Sequence, residues 1–218
     1  MTKVSLFTVL SVALSFPLYA QLQIGVRAGV HASSVNHRKG AVADPKLVPG
    51  YAIAVPVQIP FEKRWAIRVE PTLIQKGWQS KADYTTDLGQ PAGTGRMVVR
   101  YHVVELPLLV SFRQKTGDRV SWYGLAGPSV GYVLGGNLRL TNGKTEIFKD
   151  KMQLARRIET GIWVGGGVEL PFGNRTAFVD ARYQYGVGKA PWPLRAAASR
   201  EATHGFTVSV GCWLPVKK

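Results

Sequence analysis

At 218 residues and 45% hydrophobic side chains the chain has the size of one domain, and beyond its first twenty residues no run approaches the ~18 apolar residues that a membrane-crossing helix needs. Its one cysteine, Cys212, excludes an internal disulfide and a cysteine metal cluster. The net charge of +15 points to an anionic neighbour, and with no nucleic-acid motif present, phosphorylated lipid or cell-surface sugar is expected rather than nucleic acid.

The first twenty residues read as a cleavable export signal. Lys3 supplies the positive start, Val4 to Leu14 the apolar centre, and Leu18-Tyr19-Ala20 the small-residue cleavage site. The expected domain therefore covers residues 21–218. In the first strand Leu22, Ile24, Val26, Ala28 and Val30 alternate with Gln23, Gly25, Arg27, Gly29 and His31, the period of a strand with two unlike faces. A polar connection, Ala32 to Val48, precedes a second strand carrying Tyr51, Ile53, Val55, Val57 and Ile59 on one side. After a short turn at Pro60–Lys63, the third strand sets Trp65, Ile67, Val69 and Leu73 against Arg68, Glu70 and Thr72.

A long polar stretch, Gly77 to Gly95, comes next. The fourth strand begins with Val99, Tyr101 and Val103 on its apolar side and Arg100 and His102 opposite. It then changes phase: Leu106, Leu108, Val110 and Phe112 are apolar-side, with Glu105 and Ser111 opposite, which predicts a β-bulge at Val103-Val104. The short turn Gln114–Arg119 leads into a fifth strand with Val120, Trp122, Ala126, Val130, Tyr132 and Leu134 on one face. About twenty polar residues, Gly135 to Arg157, separate it from a hairpin turning at Gly173-Asn174, both of which tolerate positive φ. In that hairpin Ile162, Val164, Val168 and Leu170, then Val179, Ala181, Tyr183 and Tyr185, form the apolar side. Glu169, Asp180, Arg182 and Gln184 form the polar one. Lys189 to Thr203 is the last long connection, and Phe206, Val208, Val210, Cys212 and Leu214 mark the eighth strand.

Connections thus run long, short, long, short, long, short, long. The expected fold is all-β: an eight-stranded antiparallel up-and-down transmembrane β-barrel, with short turns in the periplasm and long basic loops outside, beside lipopolysaccharide phosphates. A soluble lipocalin-like barrel would invert the faces. Aromatic placement favours the membrane. Phe61, Trp65, Phe112, Trp122 and Phe172 gather near short turns; Tyr101, Tyr132, Tyr183, Tyr185 and Phe206 lie toward loops, as two lipid–water interfaces require. Eight strands leave an interior filled by side chains. The expected filling is an ionic network in which Glu70, Glu105, Glu169 and Asp180 face Arg27, Arg68, Arg100 and Arg182, with His102 also inside.

The run Tyr101-His-Val-Val-Glu-Leu-Pro-Leu-Leu-Val-Ser-Phe112 resembles the eight-stranded outer-membrane β-barrels of the PorT type in Gram-negative bacteria. So do Tyr123-Gly-Leu-Ala-Gly-Pro-Ser-Val-Gly-Tyr132, and Gly165 to Phe172 continuing through Asp180 to Gly186. The resemblance spans nearly the whole exported chain and implies a barrel with no particular activity. It also implies a barrel-assembly machinery as partner. Barrel chains often end on an aromatic residue, whereas this one ends Trp213-Leu-Pro-Val-Lys-Lys218, so recognition would fall to Phe206 and Trp213.

Chemistry is harder to find. His31 and Ser33 share a strand face, but acyl transfer needs a base held by an orienting group, and no carboxylate stands in sequence to orient His31. Gly165-Gly166-Gly167 precedes no helix and fits a crowded wall better than a phosphate loop. No catalytic residue, cofactor or metal site is expected. Three readings stand: a monomeric structural or surface-interaction barrel, a barrel enzyme acting on lipid or lipopolysaccharide, and a soluble binding barrel.

Overall fold

A computed structural model describes residues 22–36, 44–85, 88–116, 120–154, 156–173, 175–187 and 202–214. The expected export signal, residues 1–20, and most of the connection 189–203 lie outside the described residues. The described chain is all strand: β1 (Gln23–Asn36), β2 (Lys46–Ala54), β3 (Val57–Pro60), β4 (Trp65–Val69), β5 (Thr72–Thr85), β6 (Pro91–Thr116), β7 (Val120–Asn142), β8 (Thr145–Lys151), β9 (Ile158–Phe172), β10 (Arg175–Gly186) and β11 (Ala202–Leu214).

Ten of these eleven segments make the eight staves of the ring, and β8 pairs only with the loop end of β7. β2 with β3, and β4 with β5, are each one stave broken at a proline, because Pro56 and Pro71 have no N–H to give to the ladder. Proline carbonyls carry the pairing across the breaks: Gly25 N donates to Pro56 O at 2.8 Å, Val55 N to Pro71 O at 3.1 Å, and Glu70 N to the O of Pro107 in β6 at 3.2 Å. Every neighbouring pair is antiparallel, and β1 closes the ring against β11 from Ile24↔Leu214 to Asn36↔Ala202. β9 and β10 meet at Phe172↔Arg175, with Gly173 at φ 60° in the turn, where a side chain would be strained.

Lipid faces outward. Val30 is 62% exposed and Val208 60%, whereas Arg68 and Glu70 are 0% exposed, which is the reverse of a soluble lipocalin-like barrel. On β7 the outward Trp122 and Tyr132 are ten residues apart, about 25 Å at the rise and tilt of barrel strands. Trp122 belongs to a cluster at the short-turn end, with Trp65 and Phe112 ring centroids 4.9 Å apart and Phe112 and Trp122 5.9 Å. At the other end Tyr183 and Phe206 lie 4.8 Å apart.

Three expectations need correction. The polar stretches 77–95 and 135–157 are largely strand: β5 and β6 run on as a hairpin, and β7 turns back through Gly143 into β8. The fourth strand does not change phase. Val99, Tyr101 and Val103 are buried on the same inward face as Glu105, while Arg100 is exposed on the outer side. A register shift does occur here, but in the facing strand: His102 pairs Gly135 and Val103 pairs Val133, so the extra residue is Leu134 of β7.

Candidate functional site

The barrel interior holds the chain's densest polar chemistry, in two groups. The first lies toward the short turns and is centred on Glu70. Placed at the proline break between β4 and β5, its carboxylate meets Arg182 through Nη1–Oε2 at 2.5 Å and Nη2–Oε1 at 3.1 Å. It also meets Arg27 at 3.3 Å and Arg68 at 3.6 Å. Arg182 Nε and Nη2 donate to Asp180 Oδ2, at 3.1 and 2.5 Å. Tyr123 and Ser209 hydroxyls complete the Asp180 shell at 2.8 and 2.5 Å. Arg68 donates twice to Gln58 Oε1 and sits between the rings of Tyr123 and Trp213, 4.8 and 4.9 Å from their centroids. Stacking of this kind offsets part of the cost of removing a guanidinium from water. Glu169 takes hydrogen bonds from Arg113 and from Trp213 Nε1.

The second group lies nearer the loops. Lys76 Nζ bridges Glu105 Oε2 at 3.1 Å and Glu159 Oε2 at 3.0 Å. Glu105 Oε1 accepts from Ser129, Trp163 Nε1 and Gln184 at 2.5, 2.9 and 2.7 Å. Between the groups His31 Nδ1 meets Thr207 Oγ1 at 2.8 Å. Among the described residues the interior sets Arg27, Arg68, Lys76, Arg113 and Arg182 against Glu70, Glu105, Glu159, Glu169 and Asp180, a balance of charge that low-dielectric surroundings demand.

Glycines make room for these long side chains. A Cβ on Gly167 would fall 2.9 Å from Tyr123 Cζ and 2.7 Å from Asp180 Cβ, and one on Gly165 2.8 Å from Arg182 Cγ. Their spacing follows the side chains that cross them.

Of the residues expected inside, Arg27, Arg68, Glu70, Glu105, Glu169, Asp180 and Arg182 come together there. Arg100 and His102 do not. Both point outward from β6, and His102 Nδ1 lies 3.1 Å from the Tyr51 hydroxyl on the barrel's outer surface. Tyr101, expected outside, is fully buried within. Trp213, expected at the disposal of the assembly machinery, turns inward onto Glu169 and Arg68. Lys76 and Glu159 are absent from the expected network because they fall in the short gaps between the strands read to Leu73 and from Gly161 and the polar stretches 77–95 and 135–157. Carrying the alternation on through Thr72, Ile74, Lys76 and Trp78, and back from Trp163 through Gly161 to Glu159, would have found them. Ser33 Oγ both donates to Gly77 O at 3.0 Å and accepts from Gly77 N at 2.8 Å, so it is bound to the wall and not to His31.

A family model described as outer membrane protein beta-barrel domain matches residues 15–190. The chain belongs to this family. Its location is accordingly the outer membrane, and β11, which lies beyond the matched residues, completes the ring. No curated protein matches the chain. Among solved structures it is similar to Ail, the attachment invasion locus protein of Yersinia pestis, in complex with the heparin analogue sucrose octasulfate, at 16% identity and TM-score 0.43 over 88% of this chain and 99% of that one. It is similar to Neisserial surface protein A at 12% identity and TM-score 0.44 over 86% and 95%. OprG from Pseudomonas aeruginosa follows at 11% identity and TM-score 0.44 over 90% and 98%.

Proposed function

We propose that this family member is a monomeric barrel with a sealed interior, acting as a structural or surface-interaction protein through its extracellular hairpins. The finer assignment is the PorT type, on the Glu105-Leu-Pro-Leu108 strand and its companions. The observation that carries the reading is the filled bore. Arg68, Glu70 and Arg182 form a plug of buried, mutually paired charge, and Trp163, Tyr101 and Ile74 close the interior above it. A packed bore transmits no solute, so function falls to what stands outside the membrane. Outer-leaflet lipid and lipopolysaccharide are its immediate partners, and the barrel-assembly machinery its partner during insertion. The enzyme alternative has little support, because Ser33, its nucleophile, is committed to Gly77.

Refolded protein in planar bilayers or swelling liposomes tests the reading. No stepwise conductance and no sugar uptake are expected; steady single-channel openings would overturn it. An unaltered lipid A profile in a deletion strain is expected in addition, and a missing modification would favour the enzyme.

A further inference from the structure

Above the outer aromatic level, β5, β6, β7 and β8 continue as a four-stranded sheet with two unlike faces. Its inner face carries Trp78, Val99, Leu138 and Asp150 in one row, with Leu140 facing Phe148 in the next, and Leu138 packs against the interior cluster of Val99 and Trp78. The outer face is set by register. In the row nearest the membrane Gly77 faces Arg100, Arg100 faces Asn137, and Asn137 faces Lys151. The next row runs Gln79, Val98, Arg139, Lys149, and the third Lys81, Arg96, Thr141, Glu146. Six cations share this face: Lys81, Arg96, Arg100, Arg139, Lys149 and Lys151, all exposed. Its acids are Glu146, paired with Arg139 at 3.0 Å, and Asp83 one row further out, which accepts from Thr94. The two rows nearest the membrane contain four cations and no acid.

From this register we infer that the outer face of the β5–β8 sheet is a docking surface for the phosphorylated headgroup of an outer-leaflet glycolipid. The inference rests on the proposed surface-interaction role and names the face that meets the lipid and the group, phosphate, that it meets. Height decides between lipid and a free polyanion. Arg100 lies two residues beyond His102, which pairs with Tyr51 at the aromatic level, so the first cationic row stands about 5 Å above the hydrocarbon edge. Arg157 joins it from the side, its guanidinium 5.9 Å from the Tyr132 ring centroid. Phosphates anchored in the leaflet lie at that height, whereas a soluble polyanion would be met by the tips. Arg100 and Arg139 offer forked donors suited to phosphate oxygens.

The test uses full-length exported protein refolded in zwitterionic micelles, titrated with bisphosphorylated lipid A and followed by native mass spectrometry. Wild type is expected to retain lipid A. An Arg100→Gln/Arg139→Gln/Lys151→Gln variant should retain it roughly a hundredfold more weakly, as three removed contacts to an anionic headgroup imply. It should keep its heat-modifiable gel mobility, since none of the three is buried. Dephosphorylated lipid A, inorganic phosphate and a soluble sulfated sugar are the control arms. Equal retention by the variant, equal retention of dephosphorylated lipid A, or binding of a soluble arm at the same concentration would each overturn the inference. Loss of mobility in the triple variant would do so too, by making these side chains structural. Conductance in the bilayer experiment would instead remove the sealed-barrel reading and leave lipid retention to be judged alone.

Discussion

Arg182 and Glu70 show how the interior resists both water and imbalance. Arg182 spans two carboxylates with a forked guanidinium, and Glu70 collects three arginines, so neither can be deleted without stranding a charge. A buried ion pair adds little net stability over apolar packing, but breaking one by removing a single partner costs about 3–5 kcal/mol. Glu70→Ala is therefore expected to lower the unfolding free energy by about that amount, measured by urea titration of the refolded barrel with gel mobility as readout. Glu70→Gln, which keeps the size and some hydrogen bonding, should cost less. An unchanged midpoint for Glu70→Ala would mean that water reaches the Arg182 guanidinium. At this scale the sequence was a good guide wherever lipid lay outside. Arg27, Arg68, Glu70, Asp180 and Arg182 each stand opposite a Val, Ile or Ala that hydrocarbon holds outward, and period-two reading alone assigns their side.

β6 shows where that guide fails. Below Val104 its outward residues are Leu106, Leu108 and Val110, and its inward ones include Glu105 and Ser111; above, Val103, Tyr101 and Val99 turn inward and Arg100 outward. Read as one solvent throughout, this pattern demands a slip in the strand. The strand does not slip; its surroundings change. At the outer aromatic level the exterior passes from hydrocarbon to water, so the favoured placement of apolar side chains reverses while the backbone continues in phase. No local pattern distinguishes such a reversal from a bulge, and the nearby bulge in β7 at Leu134 is invisible for the same reason. The two accounts separate on stability. Leu106→Arg places a charge near the bilayer midplane and should cost ~2–4 kcal/mol. Arg100→Leu, at a water-facing site away from buried pairs, should stay within about 0.5 kcal/mol in lipid A-free micelles. A loss of several kcal/mol from Arg100→Leu would return that arginine to the interior network.

At the scale of the whole molecule, closure fixes which end is which. Eight antiparallel staves bring Gln23 of β1 and Leu214 of β11 to the same rim, the one where β3 meets β4, β6 meets β7 at Thr116↔Val120 and β9 meets β10 at Phe172↔Arg175. The opposite rim carries the β5–β6 and β7–β8 extensions, and with them the basic sheet face. The alternation of short and long connections was readable from sequence because turns need few polar residues. That the long connections are themselves strands was not, because their outward faces are as polar as loops. Sidedness rests on how the chain is threaded, and the proposed threading leaves the termini in the periplasm and pushes the extensions across. A short epitope inserted at Gly143-Lys144 should then bind antibody on intact cells, and one inserted at Glu62-Lys63 only after the outer membrane is permeabilised. The φ of 59° at Gly143 marks an open hairpin tip, with nothing within 4 Å of a would-be Cβ, so insertion there disturbs no packing. The reverse labelling would invert the barrel in the membrane. It would turn the six-cation face toward the periplasm, away from the leaflet whose phosphates it is built to meet.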